Sequence, residues 1–160
     1  MYEITKQYHF SAAHALRSLP PGHKCHNFHG HNYVVEICLS GSRLDDHGML
    51  IDFADIDWVI KPLIDSLDHK NLNELFEFAT TSENLAHWFF NTVNTLDIVA
   101  KGKKEKAKYV RREPSAFEKA KQERIMHIKH RYLPLRWLSV SETPKTKAIW
   151  RAEQNDSNAG

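Results

Sequence analysis

Residues 25–31 read Cys25-His26-Asn27-Phe28-His29-Gly30-His31, and an apolar, β-branched run follows them. His29 and His31 are two positions apart, so on an extended strand their imidazoles point to the same side of a sheet. A third histidine from a neighbouring strand would complete a set of three nitrogen ligands. Three protein ligands leave one tetrahedral position of a zinc ion open, as in catalytic zinc sites. The stretch therefore predicts a strand whose first residues bind a metal ion.

A single histidine is more often a solvated or a core residue than a metal ligand. Here an H-x-H pair opens one apolar strand, His14 closes another, and Cys25 stands just before the pair. This combination is hard to explain by packing and favours a metal site. Zinc suits imidazole ligands best, although the spacing also permits iron, cobalt or nickel. A thiolate beside such a cation has a lowered pKa, so Cys25 is a candidate base or nucleophile.

The segment before this stretch predicts the neighbouring strand. Apolar and polar side chains alternate over residues 2–13, with the apolar ones at even positions. His14 also stands at an even position and would therefore lie on the same face as the apolar side chains. Residues 17–24 contain two prolines and a glycine, which predict a loop that turns the chain back. The run 30–40 would then pair antiparallel with the first strand. His14 would thereby meet the H-x-H pair at neighbouring strand positions.

After residue 52 the spacing of apolar residues changes from two to three and four, which predicts two helices. The first would bury Ile56, Val59, Ile60, Leu63 and Leu67. Pro62 lies within it and predicts a kink or a shorter first piece, because proline removes one helical hydrogen bond. Thr80 or Thr81 opens the second helix, and Thr80 with Glu83 has the spacing of a capping box. The second helix would bury Leu85, Trp88, Phe89, Val93 and Leu96.

Two short strands, 135–142 and 148–151, follow with a turn at Pro144. The element order is therefore strand, strand, helix, helix, strand, strand (ββααββ). Runs of strands that flank helices are typical of an α+β domain. We expect a four-stranded antiparallel sheet with both helices on one face.

The composition agrees with one globular domain, since 41% of the 160 residues are hydrophobic. We expect this domain to span residues 1–153 and a polar tail to span 154–160. Between Lys101 and Arg131, twelve Lys or Arg stand against four Glu, which predicts a basic insertion before the third strand. No run approaches about eighteen apolar residues, and the first residues lack the features of a signal peptide. We expect a cytoplasmic protein without a membrane span.

Two further features suggest proton transfer and binding. Asp68 and His69 are adjacent at the end of the first helix, where an acid can orient an imidazole as a proton donor or acceptor. The alternative is a solvated helix cap. Glu142 shares a strand face with Leu138 and Val140, which makes it a candidate buried carboxylate that must be paired or bind something. The alternative is an exposed strand end.

Five motifs, in their order along the chain, resemble the 6-pyruvoyl-tetrahydropterin synthase family. They are Phe10-Ser11-Ala12-Ala13-His14, Cys25-x3-His29-Gly30-His31-Asn32-Tyr33, Leu67-Asp68-His69-Lys70-Asn71-Leu72-Asn73, Thr80-Thr81-Ser82-Glu83-Asn84-Leu85-Ala86 and Val140-Ser141-Glu142-Thr143. The resemblance implies the tunnelling fold, in which trimers close their four-stranded sheets into a barrel. Two trimers then stack as a homohexamer with pockets at subunit boundaries.

The same resemblance implies a role for each matched polar residue. Some hold the cofactor, Zn²⁺, and the others move protons or bind the pterin substrate. By this resemblance, zinc is held by His14, His29 and His31. Protons are moved by Cys25, the catalytic proton acceptor, and by Asp68 with His69, which form a proton relay. The pterin is anchored by Glu142 and contacted by Thr80 and Thr81.

Three residues separate Cys25 from the H-G-H motif, as in the bacterial 6-carboxy-tetrahydropterin synthases of queuosine precursor synthesis. The resemblance therefore implies a zinc-dependent lyase that converts 7,8-dihydroneopterin triphosphate to 6-carboxy-5,6,7,8-tetrahydropterin, acetaldehyde and triphosphate. The nearest alternative is 6-pyruvoyl-tetrahydropterin synthesis, whose animal enzymes have a longer gap. A non-catalytic nucleic-acid-binding relative is another alternative, because the insertion's positive charges suit phosphates. Only Tyr109 and Phe117 could stack on bases inside the insertion, so we expect no nucleic acid partner.

Overall fold

The computed structural model describes residues 1–99 and 133–151, and of residues 95–99 it describes the backbone. Strand β1 (Tyr2–His14) pairs antiparallel with strand β2 (His29–Gly41) along its whole length. The pairing begins with Tyr2 opposite Gly41 and ends with His14 opposite His29. The predicted antiparallel pair is therefore confirmed, and the returning loop contains a short 3-10 helix at Lys24–His26.

The sheet continues on the other side of β2. Strand β4 (Leu135–Thr143) pairs antiparallel with β2, and strand β5 (Thr146–Arg151) pairs antiparallel with β4. The turn between β4 and β5 contains Pro144, as the sequence predicts. The order across the sheet is β3-β1-β2-β4-β5, so β5 is one edge.

The prediction of four strands is wrong by one, because a short strand lies beside β1. Strand β3 (Lys70–Asn71) pairs parallel with Ala12–Ala13, which makes the sheet five-stranded and mixed. A one-turn helix, α2 (Leu72–Leu75), follows it, so the order ββααββ is also incomplete. Two residues are too few to show a period-two pattern, and backbone contacts with β1 decide this strand instead. The amide of His69 donates to the carbonyl of Ser11 over 2.6 Å.

Helix α1 (Phe53–Leu67) begins at Asp52, whose carboxylate accepts a hydrogen bond from the amide of Ala54 over 2.8 Å. Such a cap satisfies one of the amides that the first turn leaves without a helical partner. The helix continues through Pro62, so the prediction of a shorter first piece is wrong. Pro62 is exposed, and its ring points away from the core. The residues that α1 buries are Ile56, Ile60, Ile64 and Leu67.

Helix α3 (Ser82–Val99) packs on the same face of the sheet as α1. The ring of Phe10 on β1 lies 6.3 Å from that of Phe89 on α3 and stacks on Tyr33 of β2 at 4.8 Å. Alternate residues of β1, β2 and β4 face this core, as period-two burial requires. One hydrophobic core thus holds both long helices against one sheet face, which confirms the α+β class.

Several predictions lie outside the described residues. They concern the basic insertion at 101–131, the polar tail at 154–160 and the side chain of Leu96. Within the described part of the chain, no helix has the length and hydrophobicity needed to cross a membrane.

Candidate metal centre

Three histidines converge where β1 ends and β2 begins. One ligand nitrogen from each of His14, His29 and His31 lies within 4.8 Å of the others. The Nε2 atoms of all three are buried and have no hydrogen-bond partner. Among the residues that the structure describes, no other buried side-chain nitrogen or oxygen atom lacks a hydrogen-bond partner. Buried polar atoms are normally paired, so three converging nitrogen lone pairs fit a bound metal ion.

The strand register brings these histidines together. His14 stands directly opposite His29, and Ala12 stands opposite His31. Because His29 and His31 are two positions apart, their rings lie on the same face of β2. The ring centroids of the three histidines are 4.7 to 5.2 Å apart.

Hydrogen bonds at Nδ1 fix two of the rings. His14 Nδ1 lies 2.9 Å from the carbonyl oxygen of Thr80, and His29 Nδ1 lies 2.8 Å from that of Asn27. A carbonyl oxygen only accepts, so Nδ1 carries the proton in both rings. Nε2 is then the unprotonated nitrogen, which is the form that binds a metal ion.

Burial also keeps two of these imidazoles neutral. It lowers the pKa of His14 and His31 from the ordinary histidine value, and the negative charge of Glu142 only partly opposes it. The neighbouring His29 lowers both pKa values further. Neutral imidazoles bind divalent cations without first releasing a proton.

Glu142 reaches this cluster from β4. Its Oε2 atom lies 4.0 Å from Nε2 of His31, and its side chain is 25% exposed. The carboxylate is therefore neither a fully buried group nor a solvated strand end, the two alternatives that the sequence leaves open. Tyr33 stands beside it, and burial together with the charge of Glu142 raises the pKa of that phenol.

An open cavity of about 510 Å³ borders the cluster, and both His31 and His69 line it. His69 has a φ of 57°, a left-handed conformation that non-glycine residues seldom adopt. Its Nδ1 lies 2.9 Å from Oδ2 of Asp68, and Oδ1 of Asp68 accepts the amide of Ser11 over 2.8 Å. The amide of Ser11 and the proximity of His69 lower the pKa of Asp68 against a smaller effect of burial. Asp68 is thus an ionised partner for an exposed imidazole.

Cys25 lies in the short helix of the returning loop and is half-buried. Its carbonyl oxygen accepts the amide of Leu16 over 2.8 Å, which ties the loop to the chain two residues beyond His14. Its own amide donates to Nδ1 of His23 over 3.1 Å. These bonds hold the Cys25 backbone beside the end of β1.

Thr80 and Thr81 have different surroundings. Thr80 is fully buried, and its hydroxyl oxygen lies 2.9 Å from Nδ1 of His14. The Thr81 hydroxyl accepts the amide of Asn84 over 3.4 Å at the start of α3. Thr81 therefore caps the helix, and the predicted Thr80 and Glu83 capping box is replaced by this contact. The pterin contacts that the family resemblance implies for both threonines stay predictions.

Sequence reasoning missed two residues that support the site. Tyr33 is fully buried, and its ring stands edge-on to those of His14 and His31. Asn73 accepts the amide of Ala15 over 2.7 Å and donates to the carbonyl of Ala15 over 3.0 Å. Both residues belong to quoted motifs, but an aromatic residue and an amide give no local sign of what they contact.

Known proteins resemble this chain in both sequence and fold. The family profile of 6-pyruvoyl tetrahydropterin synthase matches residues 3–118. An Archaeoglobus fulgidus protein, provisionally named 6-carboxy-5,6,7,8-tetrahydropterin synthase, is 41% identical over 83 residues, which are 51% of this chain and 67% of that protein. The 6-pyruvoyl tetrahydrobiopterin synthase of Dictyostelium discoideum is 43% identical over 68 residues, 39% of this chain and 50% of that protein.

The 6-carboxy-5,6,7,8-tetrahydropterin synthase of Bacillus subtilis is 38% identical over 79 residues, 49% of this chain and 51% of that protein. The matches thus span half to two thirds of the length of these relatives. Among solved structures, Caenorhabditis elegans 6-pyruvoyl tetrahydropterin synthase superposes with a TM-score of 0.66 at 24% identity, over 94% of this chain and 95% of that one. The profile match and the shared fold place this chain in the 6-pyruvoyl tetrahydropterin synthase family.

Proposed function

We propose that this protein is a zinc-dependent lyase that converts 7,8-dihydroneopterin triphosphate to 6-carboxy-5,6,7,8-tetrahydropterin, acetaldehyde and triphosphate, a step toward queuosine. The observation that carries the proposal is the cluster of three histidines beside Glu142 and an open cavity. One ring nitrogen of each lies within 4.8 Å of the others, and their buried Nε2 atoms have no hydrogen-bond partner. The three-residue spacing between Cys25 and the H-G-H motif favours the carboxy product. Relatives with either product in their names match this chain.

The residues present fit a zinc ion. His14, His29 and His31 would hold it, because three imidazole ligands leave one tetrahedral position open for substrate oxygen. When bound, zinc supplies positive charge that stabilises negative charge developing on the oxygen atoms of the substrate side chain. Carbonyl oxygens would orient two of these ligands, because the Nδ1 atoms of His14 and His29 each donate to one.

Two groups would move protons. Cys25 would accept a proton from the substrate side chain, since its loop is fastened beside the end of β1. Asp68 holds the imidazole of His69 at 2.9 Å, and His69 lines the same cavity as His31. An imidazole oriented by a carboxylate can return a proton near neutral pH.

Glu142 would bind the pterin ring. Ring N–H groups are donors, and a carboxylate offers two acceptor oxygens in one plane. The partial burial of Glu142 makes such charge-assisted hydrogen bonds stronger than they would be at the open surface. Its closeness to His31 would place the ring next to the metal centre.

We also propose a homohexamer built from two trimers. The edge strand β5 supports this, because Ile149 and Trp150 on it are 42% and 40% exposed. An exposed edge strand with apolar side chains can pair with another chain.

The nearest alternative is formation of 6-pyruvoyl-tetrahydropterin, in which triphosphate is eliminated and no carbon–carbon bond breaks. The test is to incubate the purified zinc-loaded protein with 7,8-dihydroneopterin triphosphate and to identify the products by mass spectrometry. Acetaldehyde together with 6-carboxy-5,6,7,8-tetrahydropterin supports the proposal. The pyruvoyl product without acetaldehyde supports the alternative, and unchanged substrate contradicts both.

A further inference from the structure

We infer that Thr80 is a positioning residue that holds His14 in the orientation and tautomer of a metal ligand. The inference rests on the metal site of the proposed function. Thr80 precedes α3, and none of its surface is exposed. Its carbonyl oxygen and its hydroxyl oxygen each lie 2.9 Å from Nδ1 of His14, 66 residues away along the chain.

The carbonyl oxygen of Thr80 decides the tautomer. Because a carbonyl only accepts, the Nδ1 atom of His14 must be the protonated nitrogen. Nε2 then keeps its lone pair, and Nε2 is the atom that is buried without a partner in the three-histidine cluster. The backbone of Thr80 thereby selects the form of His14 that can bind a metal ion.

The hydroxyl of Thr80 adds a second acceptor that limits rotation of the ring. The ring also meets Tyr33 edge-on, with 6.1 Å between centroids and an interplanar angle of 89°. The phenol oxygen of Tyr33 lies 3.4 Å from Nδ1. Contacts with Thr80 and with Tyr33 thus hold the imidazole of His14, which is itself only 1% exposed.

His14 and His29 differ in which part of the chain orients their rings. His29 bonds to the carbonyl of Asn27, two residues away, so its orientation is set locally. The orientation of His14 instead depends on the segment that leads into α3. Asn73, in the same part of the chain, fastens both backbone polar groups of Ala15 next to His14. The orientation of His14 is therefore set by residues 73 and 80, which lie outside the β1–β2 pair.

Zinc affinity tests the role of the hydroxyl. Thr80→Val keeps the shape and the carbonyl but removes the hydroxyl, so we expect zinc to bind about tenfold more weakly in a chelator competition. Thr80→Ser restores the hydroxyl and should bind zinc nearly as tightly as the parent. Thr81→Val is the matched control, because its hydroxyl caps α3 without touching His14. It should lower the melting temperature and leave zinc affinity unchanged.

The tautomer is read directly from long-range ¹H–¹⁵N spectra of the imidazoles in the metal-free parent protein. We expect His14 to be protonated at Nδ1, and this measurement does not depend on any variant folding. Protonation of His14 at Nε2 would overturn the inference, and so would parent-like zinc affinity in a folded Thr80→Val variant. A parent protein that binds no zinc would refute the proposed metal centre as well. Zinc binding that Thr80→Val leaves intact would refute the inference alone.

Discussion

At the scale of single residues, His29 tests the metal centre most directly. We expect His29→Ala to lose zinc while the fold survives, because two histidines and water bind zinc weakly and the core consists of apolar side chains. The loss of zinc affinity should exceed the roughly 10- to 100-fold that is typical when a residue hydrogen-bonded to a metal ligand is removed. His9→Ala is the control, since His9 is exposed. Metal analysis decides the matter, and full zinc occupancy in His29→Ala would remove this residue from the ligand set.

Cys25 tests the proton acceptor. We expect Cys25→Ala to keep zinc but to lose turnover by about 100- to 10,000-fold, the usual contribution of a general base. The other cysteine, Cys38, is fully buried, so Cys38→Ala controls for thiol loss in general and should retain turnover. Steady-state rates with matched zinc content provide the comparison. Turnover of Cys25→Ala close to that of the parent would exclude the proposed role.

Glu142 tests the pterin site. Glu142→Gln replaces one acceptor oxygen with a donor that opposes a donor of the ring, so pterin binding should weaken by about 1–3 kcal/mol. Zinc content should not change. Glu36→Gln is the control, because Glu36 is a partly buried carboxylate that pairs with Lys147. Calorimetry with sepiapterin measures the affinities, and equal affinity in the parent and Glu142→Gln would place the pterin pocket elsewhere.

At the scale of elements, a polar network fastens α1 to β1. The carboxylate of Asp57 accepts the hydroxyl of Tyr8 over 2.9 Å and lies 2.6 Å from Nζ of Lys6. Lys6 also donates to the carbonyl of Phe53 over 2.9 Å. Lys6 occupies a position of β1 at which the alternation otherwise places apolar side chains. Its ion pair with Asp57 explains this, because Asp57 lies on α1, the helix that covers this face of the sheet.

This network predicts a pH dependence of stability. Burial would raise the pKa of Asp57, but hydrogen bonds from Lys6 and Tyr8 and the charges of Lys6 and Lys61 outweigh it and lower this pKa. The folded state therefore holds the proton less tightly than the unfolded state, and the stabilisation is present above about pH 4. It is lost as the pH falls through the lowered value.

Asp57→Asn removes this stabilisation. We expect the free energy of unfolding at pH 7 to fall by about 1–2 kcal/mol, because the charge-assisted bond to Lys6 is lost. The difference from the parent should begin to shrink when urea unfolding is repeated below about pH 4, where Asp57 of the unfolded parent takes up a proton. It should vanish once the pH has fallen through the lowered pKa of Asp57 in the folded state. Asp65→Asn, a change at an exposed residue of the same helix, is the control. A difference that is independent of pH would show that charge does not stabilise this contact.

At the scale of the whole molecule, the proposed assembly predicts a mass of about six times 18.6 kDa in solution. We expect Ile149→Lys to break it into smaller species, because a charge on the exposed face of β5 opposes pairing with another chain. Leu44→Lys is the control, since Leu44 is similarly exposed, at 39%, in the loop after β2. Analytical ultracentrifugation measures the mass of the parent and of both variants in solution. A monomeric parent would contradict the assembly, and an intact Ile149→Lys hexamer would place the interface elsewhere.

The sequence alone determined the local periodic features. Alternation along β1 and β2 placed His14, His29 and His31 on one face, and the change to three- and four-residue spacing predicted α1 and α3. These predictions succeeded because a period of two or of 3.6 depends on neighbours within one element. The prediction of four strands failed at β3, since two residues show no period and backbone bonds to β1 formed that strand.

Only the tertiary structure decided the contacts between distant parts of the chain. Thr80 meets His14 across 66 residues, Asn73 meets Ala15 across 58, and Glu142 approaches His31 from β4. A motif indicates which residue types are present but not which atoms will face each other. That depends on the strand register and on how the helices pack, which the core as a whole determines. The cluster of His14, His29 and His31 was therefore predictable from the sequence, whereas the residues that orient these side chains were not.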